Sequence, residues 1–468
     1  MNKASIYIIA SILTLMPSML NSSPEPEQTD DSLRNELPIE QEELIGKMFI
    51  ALLRAENLIF PDQQVQEYIQ SIGHKLSVNA KLKYFTPNFL VIDSPVVNAS
   101  AFLGANIAVH SGLILLTDEE SELAAVMAHE LAHVAQNHLL RLIAYQRKSL
   151  PIALAGSLAA ILIGVPQLVI PVLSAGQQHA INFTRDHEKE ADRIGMQILA
   201  KAHYSPHGMP NMFMKMGANN RYESKHYEYL LTHPLYENRI AETMNLAETY
   251  KYRQVPNSLN YELMKLRIQI LRTNNLPTLL KKYGELYHSS PDNVLFKYAY
   301  VYCLLKNDNF KQANNISWPS TDNLMIQLLV AETQAANDLN LAIAHLEKLY
   351  LLHPDSKASL FMLCDLLLQT KSMANASKVS KHLLKFVKNC NSEPEAYEML
   401  RIAAGMLQQQ SLVYYCNANL FALYGNLGES LKELDKSLQL LPKNSSEYRA
   451  TLKLKKATLE LLQLQKSI

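Results

Sequence analysis

Two histidines one helical turn apart are the residues of this chain whose spacing most clearly indicates chemistry. His129 and His133 stand in the order His-Glu-x-x-His. Residues four apart lie on the same face of a helix, so both rings can reach one metal ion. Glu130 follows the first histidine and is placed to act as a general base on a water at that metal. The pentapeptide therefore predicts a zinc-dependent hydrolase.

The residues before this motif favour the helix that it needs. Residues 121–128 are good helix formers with an acidic first turn, and Thr117 with Asp118 offers an N-cap. Taken alone, the motif leaves open a plainer interpretation, in which two surface histidines lie on an ordinary helix. A catalytic zinc ion also needs a third protein ligand, because its fourth position is left for water.

Three positions could supply that third ligand, and two of them are disfavoured. The metzincin pattern requires a histidine six residues after His133, where the chain has Leu139. His138 lies roughly 140° round the helix from His133, so we expect it to point elsewhere and to be structural. Glu188, on a later predicted helix, is the gluzincin solution, and Asp192 one turn on could orient a ligating imidazole from behind. A solvated acidic helix face is the alternative for this cluster.

Several motifs follow one another in an order that a known family shares. They are His129-Glu130-x-x-His133, Glu188-x-x-Ala191-Asp192, His233-Pro234 followed by Arg239, Asn98-Ala99-Ser100-Ala101-Phe102, and Val109-His110-Ser111-Gly112-Leu113. In these motifs the chain resembles the Ste24/HtpX-like zinc peptidase family. The resemblance implies one Zn²⁺ per chain, with His129, His133 and Glu188 as its ligands and Glu130 as the general base.

The same resemblance bears on His233 and Arg239. By residue type alone, a His-Pro pair is usually a turn or the start of a helix. In the family, the histidine that matches His233 lies near the metal and can occupy the open coordination position, which holds the enzyme latent. Arg239 would stabilise the site or the transition-state oxyanion, or would be a buried salt-bridge partner.

The composition of the whole chain limits its class. The 468 residues suffice for two or three domains, each with a substantial core. Lysine plus arginine equals aspartate plus glutamate at 44 each, so we expect no nucleic-acid partner. All four cysteines lie in the C-terminal half, away from the His-Glu motif. A disulfide between Cys390 and Cys416 is one expectation, and buried free thiols are an equally good one that suits Cys303 and Cys364 better.

The N-terminal region predicts export. Residues 1–23 contain a short basic region, an apolar run and a polar stretch with a cleavage site, which is the order of a signal peptide; an uncleaved anchor is the alternative. Residues 24–40 are acidic and rich in proline, and we predict a disordered lead-in. Residues 150–173 carry no charge, but three prolines interrupt them. A broken apolar hairpin over the protease, or in peripheral contact with a membrane, is favoured over a transmembrane helix.

Residues 41–250 are predicted to form a gluzincin-type α+β metalloprotease domain with a small sheet. Helical spacing on either side of Pro61 predicts two helices. Apolar runs at 89–93, 107–110 and 112–116 predict strands just before the zinc helix. We expect the strand at 107–110 to be an edge strand that binds an extended substrate by strand addition.

Residues 256–468 are predicted to form an α-helical tetratricopeptide-like repeat domain, so the fold is mostly α. Pro291-Asp292 and the residues after it align at a single offset with Pro354-Asp355, and the offset is near twice a period of about 34 residues. Residues 414–441 resemble a third unit, and a generic helical domain is the alternative. Stacked helix pairs form a curved groove that is suited to binding rather than to chemistry.

Together with the predicted signal peptide and repeats, the resemblance implies an exported zinc endopeptidase of the periplasm, associated with the outer membrane. Its substrates would be unfolded or misassembled proteins, in particular outer-membrane β-barrel proteins, and a chaperone role would be compatible with the repeats. The outer-membrane barrel assembly machinery would be a partner through the repeat domain. A periplasmic chaperone or scaffold with little proteolysis and an integral membrane zinc peptidase remain the alternatives.

Overall fold

The computed structural model describes Arg34 and residues 37–145, 177–222, 228–236 and 238–467. The predicted signal peptide, most of the predicted lead-in and the apolar segment 150–173 lie outside the described residues. Among the described helices, none combines the length and the apolar character that crossing a membrane requires.

The chain forms two compact units. The first contains the residues up to Pro61 together with Ile69–Ser258, and the second contains Asp62–Tyr68 and Leu259–Ser467. The described residues are mostly helical, and their β-structure includes a three-stranded sheet in the first unit. The predicted fold class, mostly α with a small sheet in the first part and a helical repeat-like second part, is therefore confirmed.

The first unit combines several helices with the small sheet. The helices are α1 (Ile39–Ala55), α2 (Gln63–Ser77, of which Ile69–Ser77 belong to this unit), α3 (Ser111–Leu116), α4 (Glu120–Ala135), α5 (His138–Tyr145), α6 (Gln177–Lys201), α7 (Gly208–Tyr222), α8 (Tyr229–Thr232) and α9 (Arg239–Glu248). The strands are β1 (Asn88–Ile92), β2 (Ala99–Phe102) and β3 (Asn106–His110). The two helices predicted on either side of Pro61 are confirmed as α1 and α2.

The order of the sheet is β1-β3-β2. Strand β3 is parallel to β1, with Ile92 opposite His110, and antiparallel to β2, with Ala101 opposite Ile107. All five residues of β3 are buried. The prediction that residues 107–110 form an edge strand is therefore wrong, because β3 lies in the centre of the sheet and β2 lies at an edge.

The prediction that residues 112–116 form a strand is also wrong, because these residues lie in helix α3. An apolar run of this length fits a buried helix as well as a strand. Hydrogen bonds decide between them here: the Ser111 hydroxyl and the Gly112 N–H both donate to the carbonyl oxygen of Ser94, each at 2.9 Å. These bonds turn the chain out of the sheet directly after β3.

The N-terminal end of α1 corrects the predicted lead-in. Helix α1 begins at Ile39, before the predicted end of that segment, and Leu37 is 1% exposed. Leu37 packs in a cluster with Leu103, Leu140 and Ile143. The last residues of the predicted segment therefore belong to the core, because leucine at this position has apolar surface to bury.

Helix α4 is buried along most of its length and begins at Glu120, later than a cap at Thr117 or Asp118 would place it. Its cap is Glu119 rather than either of those residues. The Glu122 side chain accepts a hydrogen bond from the Asp118 N–H at 2.7 Å, and Lys215 donates to the same oxygen at 2.6 Å. Thr117 instead donates its hydroxyl to the Ile114 carbonyl at 2.7 Å.

Helices α4 and α6 cross closely at Gly195. A Cβ atom on Gly195 would lie 3.1 Å from the Ala128 carbonyl oxygen and 3.1 Å from the backbone of His129. Such a distance is tighter than ordinary van der Waals contact, so glycine is what lets the two backbones approach. The crossing brings α6 against the face of α4 that carries His129.

The second unit is a series of helix pairs. Its helices are α10 (Leu259–Leu271), α11 (Leu276–Ser289), α12 (Val294–Lys306), α13 (Phe310–Asn314), α14 (Leu324–Ala335), α15 (Leu339–Leu352), α16 (Lys357–Gln369), α17 (Met373–Asn389), α18 (Pro394–Met406), α19 (Gln410–Leu423), α20 (Leu427–Leu440) and α21 (Ser446–Ser467). Helices α14, α16, α18 and α20 begin 33, 37 and 33 residues apart. This spacing matches a helical repeat of about 34 residues.

All four cysteines are described, and all are free thiols. The disulfide considered for Cys390 and Cys416 is therefore not formed, and the alternative of free thiols is the one observed. Burial raises the pKa of the Cys303, Cys364 and Cys416 thiols to about 12, which makes them poor nucleophiles.

Replacing Gly195 by alanine tests whether the α4–α6 crossing limits the stability of the first unit. We expect Gly195→Ala to lower the free energy of unfolding by about 1–3 kcal/mol, because the new methyl group must push the α4 backbone away. Gly405→Ala is the matched control, since a Cβ there meets nothing within 4 Å. That variant should gain about 0.5–1 kcal/mol from helix propensity. Thermal unfolding followed by circular dichroism would contradict this account if both variants melted above the wild type.

Candidate metal centre

Four side chains of the first unit converge on one point. They are His129, His133, Glu188 and His233, and each offers one ligand atom. These atoms all lie within 4.8 Å of one another. Three of the four residues are buried and His133 is partly exposed, so the point is largely shielded from bulk water.

The spacing of the donor atoms suits a small tetrahedral ion. His129 Nε2 lies 3.0 Å from His133 Nε2 and 3.3 Å from Glu188 Oε2. Glu188 Oε1 lies 3.4 Å from His133 Nε2 and 2.9 Å from His233 Nδ1. A metal–nitrogen bond of about 2.0–2.1 Å gives a tetrahedron with edges of roughly 3.3–3.4 Å. The donor set therefore fits an ion of that size, and its three imidazoles disfavour calcium and magnesium.

Two long helices and one short one position these donors. Helix α4 presents His129 and His133 on one face, four residues apart, and α6 presents Glu188 opposite them. His233 directly follows the short helix α8, and its backbone N–H donates to the Tyr229 carbonyl at 2.9 Å. The Tyr229 ring stacks on the His233 ring at 4.6 Å between centroids, which fixes the direction of that imidazole.

Behind the donors lies a buried network of ion pairs. Asp192 Oδ1 lies 2.9 Å from His129 Nδ1, the ring nitrogen that faces away from the other donors. Arg239 donates to both oxygens of Asp192 at 2.8 Å and lies 2.9 Å from Glu188 Oε2. The third guanidinium nitrogen donates to the Pro234 carbonyl at 3.1 Å. Arg239 is fully buried, and all of its nitrogens are engaged in holding ligand-bearing segments together.

Glu130 stands beside the donors without belonging to them. Its Oε2 accepts a hydrogen bond from the Ala101 N–H of strand β2 at 3.0 Å. Its Oε1 has no hydrogen-bond partner among the described residues and lies 3.4 Å from His233 Nε2. The carboxylate is thus fixed through one oxygen, and the other oxygen is left to accept a proton.

The carboxylates govern the protonation of the histidines. Burial disfavours a charge on His129, but Asp192 and Glu188 outweigh it and raise the pKa of His129 to about 9. Burial lowers the pKa of His133, against the opposing effect of Glu188. Burial also opposes the charge of Glu188, yet His233 and the two histidines of α4 hold its pKa well below the usual range. A metal ion binds the neutral imidazole, so an ion bound through His129 would have to displace a proton from it.

A cleft of about 490 Å³ opens beside Glu130, His133 and His233. Residues 100–103, which include the end of β2, line one side, and residues 136–142 line another. A cleft of this volume can hold several side chains of a bound ligand.

The structure places every site residue named from the sequence in or directly around this centre, and it adds two that sequence reasoning missed. Tyr229 stacks on His233, and its position four residues earlier on a helical turn was the available signal. Ala101 holds Glu130. The predicted direction of His138 is wrong, because its Nδ1 lies 2.9 Å from His133 Nδ1. His138 is nevertheless not one of the four converging donors, in agreement with its disfavoured place as a ligand.

Comparison with known proteins agrees with the geometry. The model of peptidase family M48 matches residues 63–247, which include all four donors. A beta-barrel assembly-enhancing protease of Yersinia pestis is 31% identical over 412 residues, covering 84% of this chain and 83% of that protein. The protein of the same name from Escherichia coli (strain K12) is 35% identical over 270 residues, covering 56% of this chain and 55% of that protein.

A more distant match is a mitochondrial metalloendopeptidase of Arabidopsis thaliana, which is 27% identical over 191 residues, 38% of this chain and 35% of that protein. The matches share a peptidase assignment although they differ in length and in source. They confirm the resemblance drawn from the motifs. This chain belongs to peptidase family M48 and is a metallopeptidase.

Proposed function

We propose that this chain is an exported zinc-dependent endopeptidase that acts on unfolded or misassembled proteins during the assembly of outer-membrane β-barrel proteins. The observation that carries the proposal is the convergence of three imidazoles and Glu188 beside a second carboxylate, Glu130, in an open cleft. The names of the Yersinia and Escherichia relatives, both beta-barrel assembly-enhancing proteases, support the substrate class.

One zinc ion per chain is the proposed cofactor, with His129, His133 and Glu188 as its ligands. Zinc would act as a Lewis acid that lowers the pKa of water towards ~7. Asp192 holds the His129 ring with Nε2 turned toward the centre, since its carboxylate lies beside Nδ1. Arg239 neutralises Asp192 and Glu188 from behind, which supports the role of a buried salt-bridge partner rather than of a donor to the oxyanion.

Glu130 is the proposed general base. Its Oε1 is free to take the proton from the attacking water. The hydrogen bond from the Ala101 N–H to Oε2 fixes the carboxylate so that Oε1 stays directed into the cleft. The same carboxyl group can then return the proton to the leaving amine. The chemistry thus needs one carboxylate that ligates the metal and a second that does not.

Strand β2 is the proposed site of substrate binding. The His110 N–H bonds to the Asn98 carbonyl, and backbone groups alternate along a strand. The backbone groups of Ala99 and Ala101 therefore point away from β3, and Ala101 lines the cleft. Because Glu130 already accepts from the Ala101 N–H, the Ala101 carbonyl is the group proposed to pair with a substrate. An extended peptide can add to such an edge, which favours unfolded chains over native ones.

His233 is proposed to hold the enzyme latent. Structural zinc sites have four protein ligands, whereas catalytic sites keep one position open. With His233 Nδ1 at 3.4 Å from His129 Nε2 and 2.9 Å from Glu188 Oε1, the chain itself supplies the fourth donor. Hydrolysis then requires that His233 leave the centre so that water can enter.

The helical second unit is proposed to be a tetratricopeptide-like domain that binds the barrel assembly machinery at the outer membrane, with the periplasm as the location. The repeat spacing of 33 to 37 residues supports the assignment. Stacked helix pairs bind partners through a concave surface, and a chaperone role alongside proteolysis would use the same surface.

Replacing Glu130 by glutamine tests the assignment of the general base. We expect Glu130→Gln to keep its fold and bound zinc and to lose about 10²–10⁴-fold in the rate of casein cleavage, because the amide cannot accept the proton. Glu248→Gln, at an exposed position, is the matched control and should cleave casein like the wild type. Equal cleavage by Glu130→Gln and wild type, both purified, would show that the assignment is wrong.

Replacing His233 by alanine tests latency. Removing the fourth donor should raise basal casein cleavage on the order of tenfold, which corresponds to about 1.4 kcal/mol of competition between imidazole and water. His74→Ala, which removes an exposed histidine, should leave the rate unchanged. A His233→Ala rate at or below that of the wild type would argue instead for a catalytic or structural role of this histidine.

A further inference from the structure

A chain of three polar side chains leads from the ligand His133 to the surface. His133 Nδ1 lies 2.9 Å from His138 Nδ1, and His138 Nε2 lies 3.1 Å from Glu190 Oε2. Arg141 donates to the same oxygen of Glu190 at 3.2 Å. The His138 side chain is 4% exposed, whereas those of Glu190 and Arg141 are 31% and 34% exposed.

We propose that His138 and Glu190 position the His133 ring for metal binding through this chain of hydrogen bonds. The inference rests on the proposed metal centre and extends it to two residues that do not touch the metal. Both are positioning residues, since they act through His133.

The directions of the hydrogen bonds follow from the use of His133 Nε2 at the centre. A neutral imidazole that binds metal through Nε2 carries its proton on Nδ1, so His133 must donate to His138 Nδ1. His138 then carries its own proton on Nε2, and that nitrogen faces the Glu190 carboxylate. One tautomer of each ring satisfies every bond, so the chain is complete without any further group.

This arrangement differs from the support of the other α4 ligand. His129 Nδ1 lies directly against the carboxylate of Asp192 at 2.9 Å, whereas His133 reaches a carboxylate only through the neutral ring of His138. A carboxylate raises the basicity of the imidazole to which it is hydrogen-bonded. Because the His138 ring lies between them, the Glu190 carboxylate raises the basicity of His133 less than Asp192 raises that of His129. The Glu190 carboxylate also lies nearer the surface of the unit.

The backbone is built to return His138 to His133. Helix α4 ends at Ala135, and Asn137 has a φ of 54°, in the left-handed region that asparagine tolerates. This turn redirects the chain, so that α5 begins at His138. The His187 ring covers the His138 ring at 4.1 Å between centroids with 8° between the planes, which fixes its orientation.

The test is the zinc affinity of the full chain, measured by competition with a chromophoric chelator at one pH. His138→Leu removes the acceptor and should weaken zinc binding by about 10–100-fold. His138→Asn places an amide oxygen near the position of Nδ1 but cannot reach Glu190, so it should recover part of the affinity that His138→Leu loses. Circular dichroism of each protein after removal of zinc reports whether the fold is kept.

The outcomes separate this inference from the proposed function. His129→Ala should lose high-affinity zinc; if it does not, the proposed metal centre itself is wrong. If His129→Ala loses zinc but His138→Leu binds it as the wild type does, or if the Leu and Asn variants are weakened equally, the positioning role is overturned. Should His138→Leu fail to fold, Glu190→Leu, at a partly exposed position, decides: weaker zinc binding supports the chain of bonds, and wild-type affinity overturns it.

Discussion

The close crossing of helices α4 and α6 is the constraint on which the metal centre depends. Because Gly195 has no side chain, the α6 backbone lies so close to the backbone of His129 that a methyl group would not fit between them without strain. At this separation Glu188 and Asp192, which lie two turns and one turn before Gly195, reach the two sides of the His129 ring. Metal–ligand distances tolerate only about 0.2 Å, so packing between two helices sets the chemistry of the site.

The charges of the centre call for a divalent cation. Glu130, Glu188 and Asp192 are three buried carboxylates, and Arg239 is the permanent cation that pairs with two of them. Three negative charges against one positive charge leave two to be balanced, which is the charge of a zinc ion. Burying unbalanced charge is costly, so the site favours either the metal or protons on its imidazoles. The raised pKa of His129, about 9, shows the second of these options.

Much of this architecture could be predicted from the sequence, because helical spacing determines which residues share a face. That rule placed His129 with His133 and Glu188 with Asp192, and the structure brings both pairs together. It failed where local turns decide the outcome. The hydrogen bonds to Ser94 direct residues 112–116 into a helix. The left-handed backbone of Asn137 ends helix α4 and places His138 against the site, whereas in a continuous helix His138 would point away from it.

The order of the strands in the sheet could not be predicted from the sequence either. Strands β1 and β2 flank β3, and alternation along β3 cannot show this because both of its faces are buried. The identity of the edge strand matters for function, since β2 touches Glu130 through Ala101 and lines the cleft. Long-range pairing of this kind follows from how the whole unit packs rather than from any local pattern.

The proposal that decides the rest is that this chain holds zinc with imidazole and carboxylate donors in a closed, four-donor centre. X-ray absorption at the zinc edge of the full chain tests it most directly. We expect one zinc per chain, with a first shell of nitrogen and oxygen at about 2.0–2.1 Å and outer-shell scattering from three imidazole rings. A sulfur scatterer at about 2.3 Å, or a shell without imidazole scattering, would contradict it.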